Sequence, residues 1–280
     1  MAERQDLLRL ERRLSRALAR AVRGFSMIQQ GDRVMVAMSG GKDSYALHHL
    51  LRRLAQRAPV RFDIVPVHLD QGQPGHDPTP LIAFMQQHGT PIHIERDDTY
   101  SAVRAVVPQG QTYCSMCSRL RRAVLYRIAT ELSCTKIALG HHRDDVIVTL
   151  MLNLVFSGQL KAMPPKLRSD DGRHIVIRPL VYCVEDDLAQ LAAALRFPIL
   201  PCRLCGSQPN QERKAIDQLL AEFETRHPGA RANMLAALAN VRASHLLDPS
   251  LWERLGLEVA DHDDEDSHDA WVTDSALVRS

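Results

Sequence analysis

The 280-residue sequence predicts an α/β protein built on a parallel β-sheet. Short apolar segments alternate with longer segments in which apolar side chains recur at helical spacing. This alternation is typical of β-α-β units, in which helices cover both faces of a parallel sheet. From about residue 208 onward the pattern is helical only. We therefore expect an α/β domain followed by a helical extension.

The predicted elements follow one another in a regular order. Residues 5–23 keep leucines close to a helical period with arginines between them, which predicts a basic amphipathic helix. The apolar segment Arg33–Met38 predicts a buried strand, and residues 43–56 predict the helix after it. The later predicted strands are 61–69, 92–95, 136–139 and 174–180, and the later predicted helices are 80–88, 116–132, 143–156 and 185–196. The Gly-, Pro- and Ser-rich segment 157–172 predicts a long functional loop.

Composition excludes several classes of protein. Hydrophobic residues make up 45% and charged residues 24% of the chain, as in ordinary globular proteins. No run of 18 apolar residues predicts a membrane span, and the charged first 24 residues do not have the pattern of a secretory signal. We therefore expect a cytoplasmic protein. In those reducing surroundings, the six cysteines indicate metal or redox chemistry rather than disulfides.

Charge is unevenly distributed along the chain. Residues 261–280 contain seven acids and one base, so the first 260 residues contain 34 basic and 26 acidic residues. Thirty of the 35 basic residues are arginine, which suits phosphate contacts and base stacking, although a GC-rich genome would give the same bias. The acidic end predicts a solvated, disordered tail.

The segment Ser39–Ser44 (SGGKDS) is the strongest signal in the sequence. It directly follows the first core strand and opens a helix. Two glycines let the backbone approach a phosphate, the helix N-terminus presents amides to it, and Lys42 adds a full charge. Neither a Walker A loop nor a GxGxxG turn fits the spacing. The alternative, a purely steric Gly-Gly turn, does not explain Lys42, the only lysine among the first 135 residues.

Acidic side chains follow two other predicted strands. The sequence Gly140–Asp145 (GHHRDD) joins a strand to a helix, where open α/β sheets place ligands. Asp144 and Asp145 suit Mg²⁺, and Asp144 is also a candidate to orient the attacking group, although helix capping is the simpler role. We expect His141 rather than the next histidine to face a nucleotide. Asp70 is an equally balanced candidate for a ribose or adenine contact or for a turn.

Four cysteines occur as two CxxC pairs, one formed by Cys114 and Cys117 and the other by Cys202 and Cys205. Each pair can place two thiolates on one metal. The spacing leaves four interpretations open: structural zinc, an iron–sulfur cluster, a thiol–disulfide pair, and coincidence. Cys134 and Cys183 are expected to be buried small residues.

SGGKDS after the first strand resembles the PP-loop of the adenine nucleotide alpha-hydrolase-like superfamily. Segments between about residues 24 and 250 resemble the tRNA 2-thiocytidine synthetase (TtcA) family within it. The matching segments are RVMVAMSGGKDSYAL, CSMCSRLRRAVLYRIATEL, KIALGHHRDD, MPPKLRSDDGRHIVIRPL and PCRLCGSQPN. The resemblance implies that Ser39, Gly40, Gly41, Lys42, Asp43 and Ser44 bind ATP phosphates, with Asp43 helping to place Mg²⁺. It further implies a 4Fe–4S cluster on three cysteines, Cys114, Cys117 and either Cys205, which is favoured, or Cys202.

The resemblance implies an ATP-dependent tRNA thiolase that acts on cytidine 32. AMP would be transferred to the C2 oxygen, and sulfur held on the cluster would replace that oxygen. It also implies persulfide from a cysteine desulfurase as the sulfur source, and families of this type are often dimers. A basic path for tRNA is predicted from Arg119, Arg121, Arg122, Lys161 and Lys166.

Two alternatives differ in chemistry. One is another PP-loop tRNA-modifying enzyme with structural zinc, and the other is a non-catalytic zinc-stabilised RNA-binding protein. The expected domain organisation is a basic helix over 1–24, a PP-loop domain over 25–207, a helical extension over 208–255 and an acidic tail over 256–280.

Overall fold

A computed structural model describes residues 2–106, 114–169, 172–201 and 211–257. Its centre is a six-stranded sheet with the strand order β3-β2-β1-β4-β6-β5. The strands are β1 (Arg33–Ala37), β2 (Asp63–Asp70), β3 (His93–Arg96), β4 (Lys136–Ala138), β5 (Lys166–Arg168) and β6 (Ile175–Ile177). The helices are α1 (Ala2–Gly24), α2 (Lys42–Ala55), α3 (Thr79–Gln87), α4 (Thr99–Val106), α5 (Cys114–Glu131), α6 (Arg143–Ser157), α7 (Glu185–Ala194), α8 (Gln211–Arg226), α9 (Ala230–Ala237) and α10 (Pro249–Leu255).

The strand order creates a ligand crevice beside β1. The chain builds β1, β2 and β3 toward one edge of the sheet and then returns to place β4 on the other side of β1. Met35 in β1 is paired in parallel with Val65 of β2 and with Ile137 of β4. Open α/β sheets bind ligands at the carboxyl ends of their strands where the strand order reverses. Here that point lies between the ends of β1 and β4.

Apolar helix faces cover the sheet. Ile128 of α5 is fully buried against Met35, Val67 and Ile137 of the sheet. Helices α1, α2 and α7 pack on one another, and the leucines expected on the apolar face of α1 are buried, among them Leu14 and Leu18. Burying an aliphatic side chain of this size stabilises the fold by about 1.5–3 kcal/mol, so these two faces fix the helices firmly.

The predicted α/β fold is confirmed, with two local differences. Strand β5 lies inside the segment 157–172, which was predicted as a loop, and it pairs antiparallel with β6 at the edge of the sheet. Its three residues are too few and too polar to give a strand pattern. The predicted strand 174–180 is shorter, because Pro179 has no N–H to donate to a neighbouring strand. Helix α4 was not predicted.

The contacts divide the chain into two units, the first ending at Leu235. Helix α8 belongs to the first unit because its Ile216 and Leu220 are buried against Ile147 and Val148 of α6. The predicted basic helix also belongs to this unit.

The second unit contains a short 3₁₀ helix at Ala243–His245 and then α10. Asp248 caps α10 by accepting the Leu251 N–H at 3.1 Å, and the Trp252 indole donates to the Leu246 carbonyl at 2.8 Å. The disordered tail predicted over 256–280 lies almost wholly outside the described residues. None of the helices in the described part of the chain has the length and apolar character that a membrane span requires.

Candidate active site

The PP-loop joins the end of β1 to the start of α2. Gly40 has a φ of +80°, and a Cβ there would lie 2.7 Å from the Leu200 side chain, so only glycine fits this position. The Leu200 N–H donates to the Gly40 carbonyl at 2.9 Å, which ties the loop to the segment after α7. The Ser39 hydroxyl accepts the Gly41 N–H at 3.2 Å, and the Ser44 hydroxyl donates to the Gly41 carbonyl at 2.8 Å. The loop is therefore held in shape by its own side chains.

Lys42, the first residue of α2, is already bound to carboxylates. Its Nζ lies 2.9 Å from Glu185 Oε1 and 3.2 Å from Asp43 Oδ2. Burial would lower the pKa of Lys42, but the contacts with Glu185 and Asp43 outweigh it and raise that pKa. Lys42 is therefore a fixed cation at the helix N-terminus, where an anion is favoured.

Asp43 combines burial with one unused oxygen. Its Oδ2 accepts from Lys42, whereas its Oδ1 is buried and has no hydrogen-bond partner among the described residues. Burial raises the pKa of Asp43, an effect that the charges of Lys42 and His142 reduce. A Cβ on Gly140 would lie 3.1 Å from the Asp43 carbonyl carbon, so Gly140 lets the chain after β4 touch the PP-loop. An unpartnered carboxylate oxygen in this position fits a hard cation such as Mg²⁺.

The start of α6 supplies a second group of charges. His142 caps the helix and is buried, with its Nε2 3.4 Å from Asp145 Oδ2 and 4.0 Å from Asp43 Oδ2. The Asp145 carboxylate also accepts from Arg213 at 2.5 Å. Burial would raise the pKa of Asp145, but His142 and Arg213 together lower it.

Asp144 accepts hydrogen bonds from three donors. Its Oδ1 accepts from Arg143 at 3.0 Å and from Arg231 at 2.9 Å, and its Oδ2 accepts the Glu185 backbone N–H at 3.0 Å. Burial acts to raise its pKa, yet these contacts lower it. This carboxylate therefore joins the start of α6 to the start of α7.

The two adjacent histidines face different surroundings. His142 contacts Asp43 of the PP-loop, although His141 was expected to be the one facing the nucleotide. The His141 Nδ1 is buried and has no hydrogen-bond partner in the described part of the chain. Burial, together with the charges of Arg178 and Arg121, lowers the pKa of His141 to about 4. His141 is thus a neutral side chain next to arginines.

The end of β2 contributes Asp70 and Gln71. Asp70 Oδ1 accepts the Gly72 N–H at 2.9 Å, which is the turn role that the sequence left open beside a nucleotide contact. The next residue, Gln71, places its Oε1 3.7 Å from Cys117 Sγ in the first turns of α5. Cys117, the second cysteine of the first CxxC pair, therefore lies at the same edge of the sheet as the PP-loop.

Exposed arginines continue along α5. Arg121 lies one helical turn after Cys117 and therefore on the same face, with Arg119 and Arg122 beside it. Among the described residues, none of these three arginines has a carboxylate within ion-pair distance. Burial and the charge of Arg122 lower the pKa of Arg178, which donates to the Pro164 carbonyl at 2.6 Å. This group, Arg119, Arg121, Arg122 and Arg178, is called the arginine face below.

The predicted lysines of the basic path differ in their contacts. Lys166 Nζ donates to the Ser26 carbonyl at 2.6 Å, which ties β5 to the end of α1, whereas Lys161 is exposed in the loop after α6.

Comparison with known proteins agrees with this site. A family model described as a PP-loop domain matches residues 8–198. A tRNA-cytidine(32) 2-sulfurtransferase of Sorangium cellulosum is 61% identical over 253 residues, which cover 90% of this chain and 89% of that protein. The enzyme of the same description from Anaeromyxobacter sp. strain K is 54% identical over 268 residues, covering 96% and 90% of the two chains. The chain belongs to the TtcA family.

A solved structure shares the fold of this TtcA-family chain. It is described as the U34-tRNA thiolase NcsA from Methanococcus maripaludis with its [4Fe-4S] cluster, and it superposes with a TM-score of 0.65 at 22% identity. The match covers 84% of this chain and 80% of the other.

The cluster ligands expected in a TtcA-family member are only partly described. Cys117 lies half-buried near Gln71, whereas the side chain of Cys114 and all of Cys202 and Cys205 lie outside the described residues. Within the described ranges, no group of three or more His, Cys, Asp or Glu side chains could hold a metal.

Three site residues of this TtcA-family chain were missed by the sequence analysis. Glu185 contacts Lys42 across 143 residues, Arg231 reaches Asp144 across 87, and Arg213 reaches Asp145 across 68. Of these three, only Glu185 stands at a position that the sequence could have marked, since it is an acidic residue at the start of a predicted helix. The arginines had none, because they lie in a helical extension that the sequence did not place next to α6.

Proposed function

We propose that the chain is an ATP-dependent tRNA thiolase that converts cytidine 32 of the anticodon loop to 2-thiocytidine. The observation that carries this proposal is the juxtaposition of the PP-loop, Cys117 and the arginine face at one edge of the sheet. An ATP site, a sulfur site and an RNA-binding surface are the three parts that such a reaction needs. The identity of 54–61% to tRNA-cytidine(32) 2-sulfurtransferases over most of both chains supports the same activity.

The PP-loop would bind the phosphates of ATP. Residues 39–44 present backbone amides, the two serine hydroxyls and the Lys42 ammonium to the triphosphate. The buried Asp43 Oδ1 would ligate Mg²⁺, which when bound neutralises charge on the phosphates. Asp70 and His141 are proposed to contact the nucleoside part of ATP.

The reaction would begin at the C2 oxygen of cytidine. That oxygen attacks the α-phosphorus of ATP, and the bond between the α-phosphorus and the bridging oxygen breaks to release pyrophosphate. Lys42 stabilises the charge that develops on the pyrophosphate. The transferred AMP turns the C2 oxygen into a leaving group, so sulfur can replace it at C2 while AMP departs with the oxygen.

Asp144 is proposed to act through position rather than through direct contact. Three donors occupy its carboxylate, and one of them is the backbone of Glu185, next to Lys42. It therefore sets the distance between α6, α7 and the PP-loop.

The cysteines would hold a 4Fe–4S cluster, which when bound supplies the sulfur. Cys117 fits this role because its thiol lies at the carboxyl edge of the sheet and Cys114 precedes it by one helical turn. Cys205 is proposed as the third ligand, with Cys202 as its alternative. Three ligands would leave one iron open for sulfur. A cysteine desulfurase would deliver that sulfur as a persulfide, and a thiol reductant would supply the two electrons that bring it to the sulfide level as the thiol becomes a disulfide.

The arginine face would bind the tRNA. Arg119, Arg121 and Arg122 are exposed and have no carboxylate partner in the described part of the chain, so phosphates can pair with them. Lys161 and Lys166 are proposed to extend this surface, and a homodimer is proposed as the assembly that binds tRNA.

The experiment that tests this proposal compares two cysteine substitutions in protein purified without oxygen. Cys117→Ala should lose iron, acid-labile sulfide and thiolation together. The matched control, Cys134→Ala, removes a buried thiol from the core and should retain all three. Wild-type protein should contain about four irons and four sulfides per chain.

Stoichiometric zinc without sulfide would contradict the cluster and favour the related enzyme with a structural metal site. In that case ATP–pyrophosphate exchange with tRNA would still distinguish an adenylating enzyme from a non-catalytic RNA-binding protein.

A further inference from the structure

Glu185 is bound to the lysine that the phosphates of ATP need. Its Oε1 lies 2.9 Å from Lys42 Nζ, closer than the Asp43 carboxylate at 3.2 Å. The Glu185 side chain is 49% exposed and that of Lys42 is 26% exposed. The pair therefore opens to solvent on one side, from which a phosphate can approach.

The position of Glu185 does not depend on Lys42. Glu185 is the first residue of α7, and its backbone N–H donates to Asp144 Oδ2 at 3.0 Å. Asp144 is in turn fixed by Arg143 and Arg231. The backbone of Glu185 would stay in place if its side chain turned away from Lys42.

A carboxylate and a phosphate compete for the same ammonium group. The triphosphate of ATP and free pyrophosphate are both anions. Each would be attracted by the Lys42 ammonium group and repelled by the Glu185 carboxylate. Within the described residues, Lys42 has two carboxylate partners, and of the two Asp43 is the one adjacent to it in sequence. Glu185 is the partner that can leave, because only its half-exposed side chain must rotate.

We propose that Glu185 is a positioning residue that holds Lys42 in the ligand-free enzyme, yields it to the phosphates of ATP, and takes it back as pyrophosphate leaves. The inference rests on the proposed function, because it requires ATP at the PP-loop. Helix α7 would thus contribute to product release through Glu185. The Glu185 carboxylate lowers the affinity of the site for both anions. It also keeps Lys42 in place and shortens the time for which pyrophosphate stays bound.

Substitution of Glu185 tests this competition, because the proposal predicts that binding of both anions becomes tighter when the carboxylate is removed. Glu185→Gln keeps the shape of the side chain and the backbone contact with Asp144 but removes the charge. The matched control is Asp186→Asn, which removes the same charge from the next residue of the same exposed helical turn. Both variants, with wild-type protein, are titrated with an α,β-methylene analogue of ATP and with inorganic pyrophosphate, with and without Mg²⁺.

Glu185→Gln is expected to bind both ligands about threefold to tenfold more tightly at low salt, as the loss of a partly exposed competing charge predicts. The gain should shrink at high ionic strength, because exposed charges are screened. In turnover, the KM for ATP should fall and pyrophosphate should inhibit more strongly, while kcat falls. Asp186→Asn should bind as wild type does.

Unchanged or weaker binding by Glu185→Gln would overturn the inference, and weaker binding only with Mg²⁺ would make Glu185 a metal ligand instead. Glu185→Ala is likewise expected to bind both ligands more tightly, and it controls for an effect specific to the glutamine side chain. If wild-type protein bound neither ligand, the ATP site itself would be wrong and this inference would fall with it. Tight wild-type binding with no gain in the variants would overturn only the role of Glu185.

Discussion

The PP-loop region and the arginine face lie at the same edge of the sheet but differ in whether their charged side chains are paired. Around the PP-loop, Lys42 is paired with Asp43 and Glu185, and Asp144 and Asp145 are each paired with arginines. On the arginine face, Arg121 and Arg122 have no carboxylate partner in the described part of the chain. The first region is therefore organised before its ligand arrives, whereas the second has positive charge that its ligand must neutralise.

The difference suits the two proposed ligands. Adenylation requires phosphates to be held to within a fraction of an ångström, so a preorganised cation is an advantage. A tRNA backbone contributes many weak phosphate contacts whose strength comes from counterion release, and unpaired exposed arginines serve that purpose. Substitutions in the two regions should consequently differ in kind as well as in size.

Removing the PP-loop cation should have the largest effect. Lys42→Ala is expected to lower ATP-dependent thiolation by about 10²–10³-fold, because it removes charge stabilisation from the departing pyrophosphate. Binding of tRNA and iron content should stay unchanged. Lys214→Ala, which removes an exposed lysine from α8, provides the comparison for activity. Thiolation by Lys42→Ala at the wild-type rate would refute the adenylation step.

The shape of the PP-loop should matter next. Gly40 and Gly31 have nearly the same φ, +80° and +79°, but a Cβ at Gly40 meets Leu200 at 2.7 Å whereas one at Gly31 meets nothing within 4 Å. Both alanine variants should lose about 1–2 kcal/mol of stability from the left-handed backbone. Only Gly40→Ala should also raise the KM for ATP, by about tenfold or more. Thermal unfolding and steady-state kinetics measure the two effects separately.

Equal kinetic effects of the two glycine substitutions would mean that backbone strain, and not the contact with Leu200, sets the loop geometry. That result would weaken the idea of a preorganised region.

Single substitutions on the arginine face should have a moderate effect. Arg121→Ala is expected to weaken tRNA binding about threefold to tenfold and to reduce the salt dependence of binding by about one counterion. The KM for ATP should not change. Arg57→Ala removes an exposed arginine just after α2, the helix that leads away from the PP-loop, and should leave tRNA binding intact. Measuring tRNA binding over a series of salt concentrations tests both variants. An unchanged salt dependence for Arg121→Ala would mean that tRNA does not bind at the arginine face.

The smallest effect should be the titration of His141, which lies between the two regions. Burial and the charges of Arg178 and Arg121 hold its pKa at about 4, below the ordinary 6.5, so at neutral pH it is uncharged. Because these charges oppose protonation, Arg121→Ala or bound tRNA should raise this pKa toward 6.5. NMR titration of ¹⁵N-labelled histidine measures it, and a pKa that stays near 4 in both cases would show that burial alone determines it.

The two regions also differ in how far the sequence predicted them. The PP-loop could be predicted because Ser39–Ser44 is a local segment whose glycines, lysine and helix start act together. The arginines of α5 could be predicted as candidates for a basic path, since all three follow the first CxxC pair on one helix. The strand order and the short antiparallel strand β5 could not, because pairing depends on segments far apart in the chain.

The contacts that organise the site were the least predictable. Glu185, Arg213 and Arg231 reach the PP-loop and α6 from 68 to 143 residues away. Each is an ordinary charged helix residue in the sequence, and its role depends on how α7, α8 and α9 pack. The contact between His142 and Asp43 was not predicted for a similar reason, since adjacent residues at a helix start point in different directions.

The most direct test of the central claim is the product of a single reaction. Protein purified without oxygen would be incubated with ATP, Mg²⁺, a persulfide donor, a thiol reductant and either a tRNA with cytidine 32 or the same tRNA with uridine 32. Nucleoside mass spectrometry would measure 2-thiocytidine, and AMP and pyrophosphate would be counted alongside it. We predict one 2-thiocytidine at position 32 for each AMP and pyrophosphate released, and none from the uridine tRNA. Thiolation without ATP, or ATP cleavage without thiolation of cytidine 32, would contradict the account.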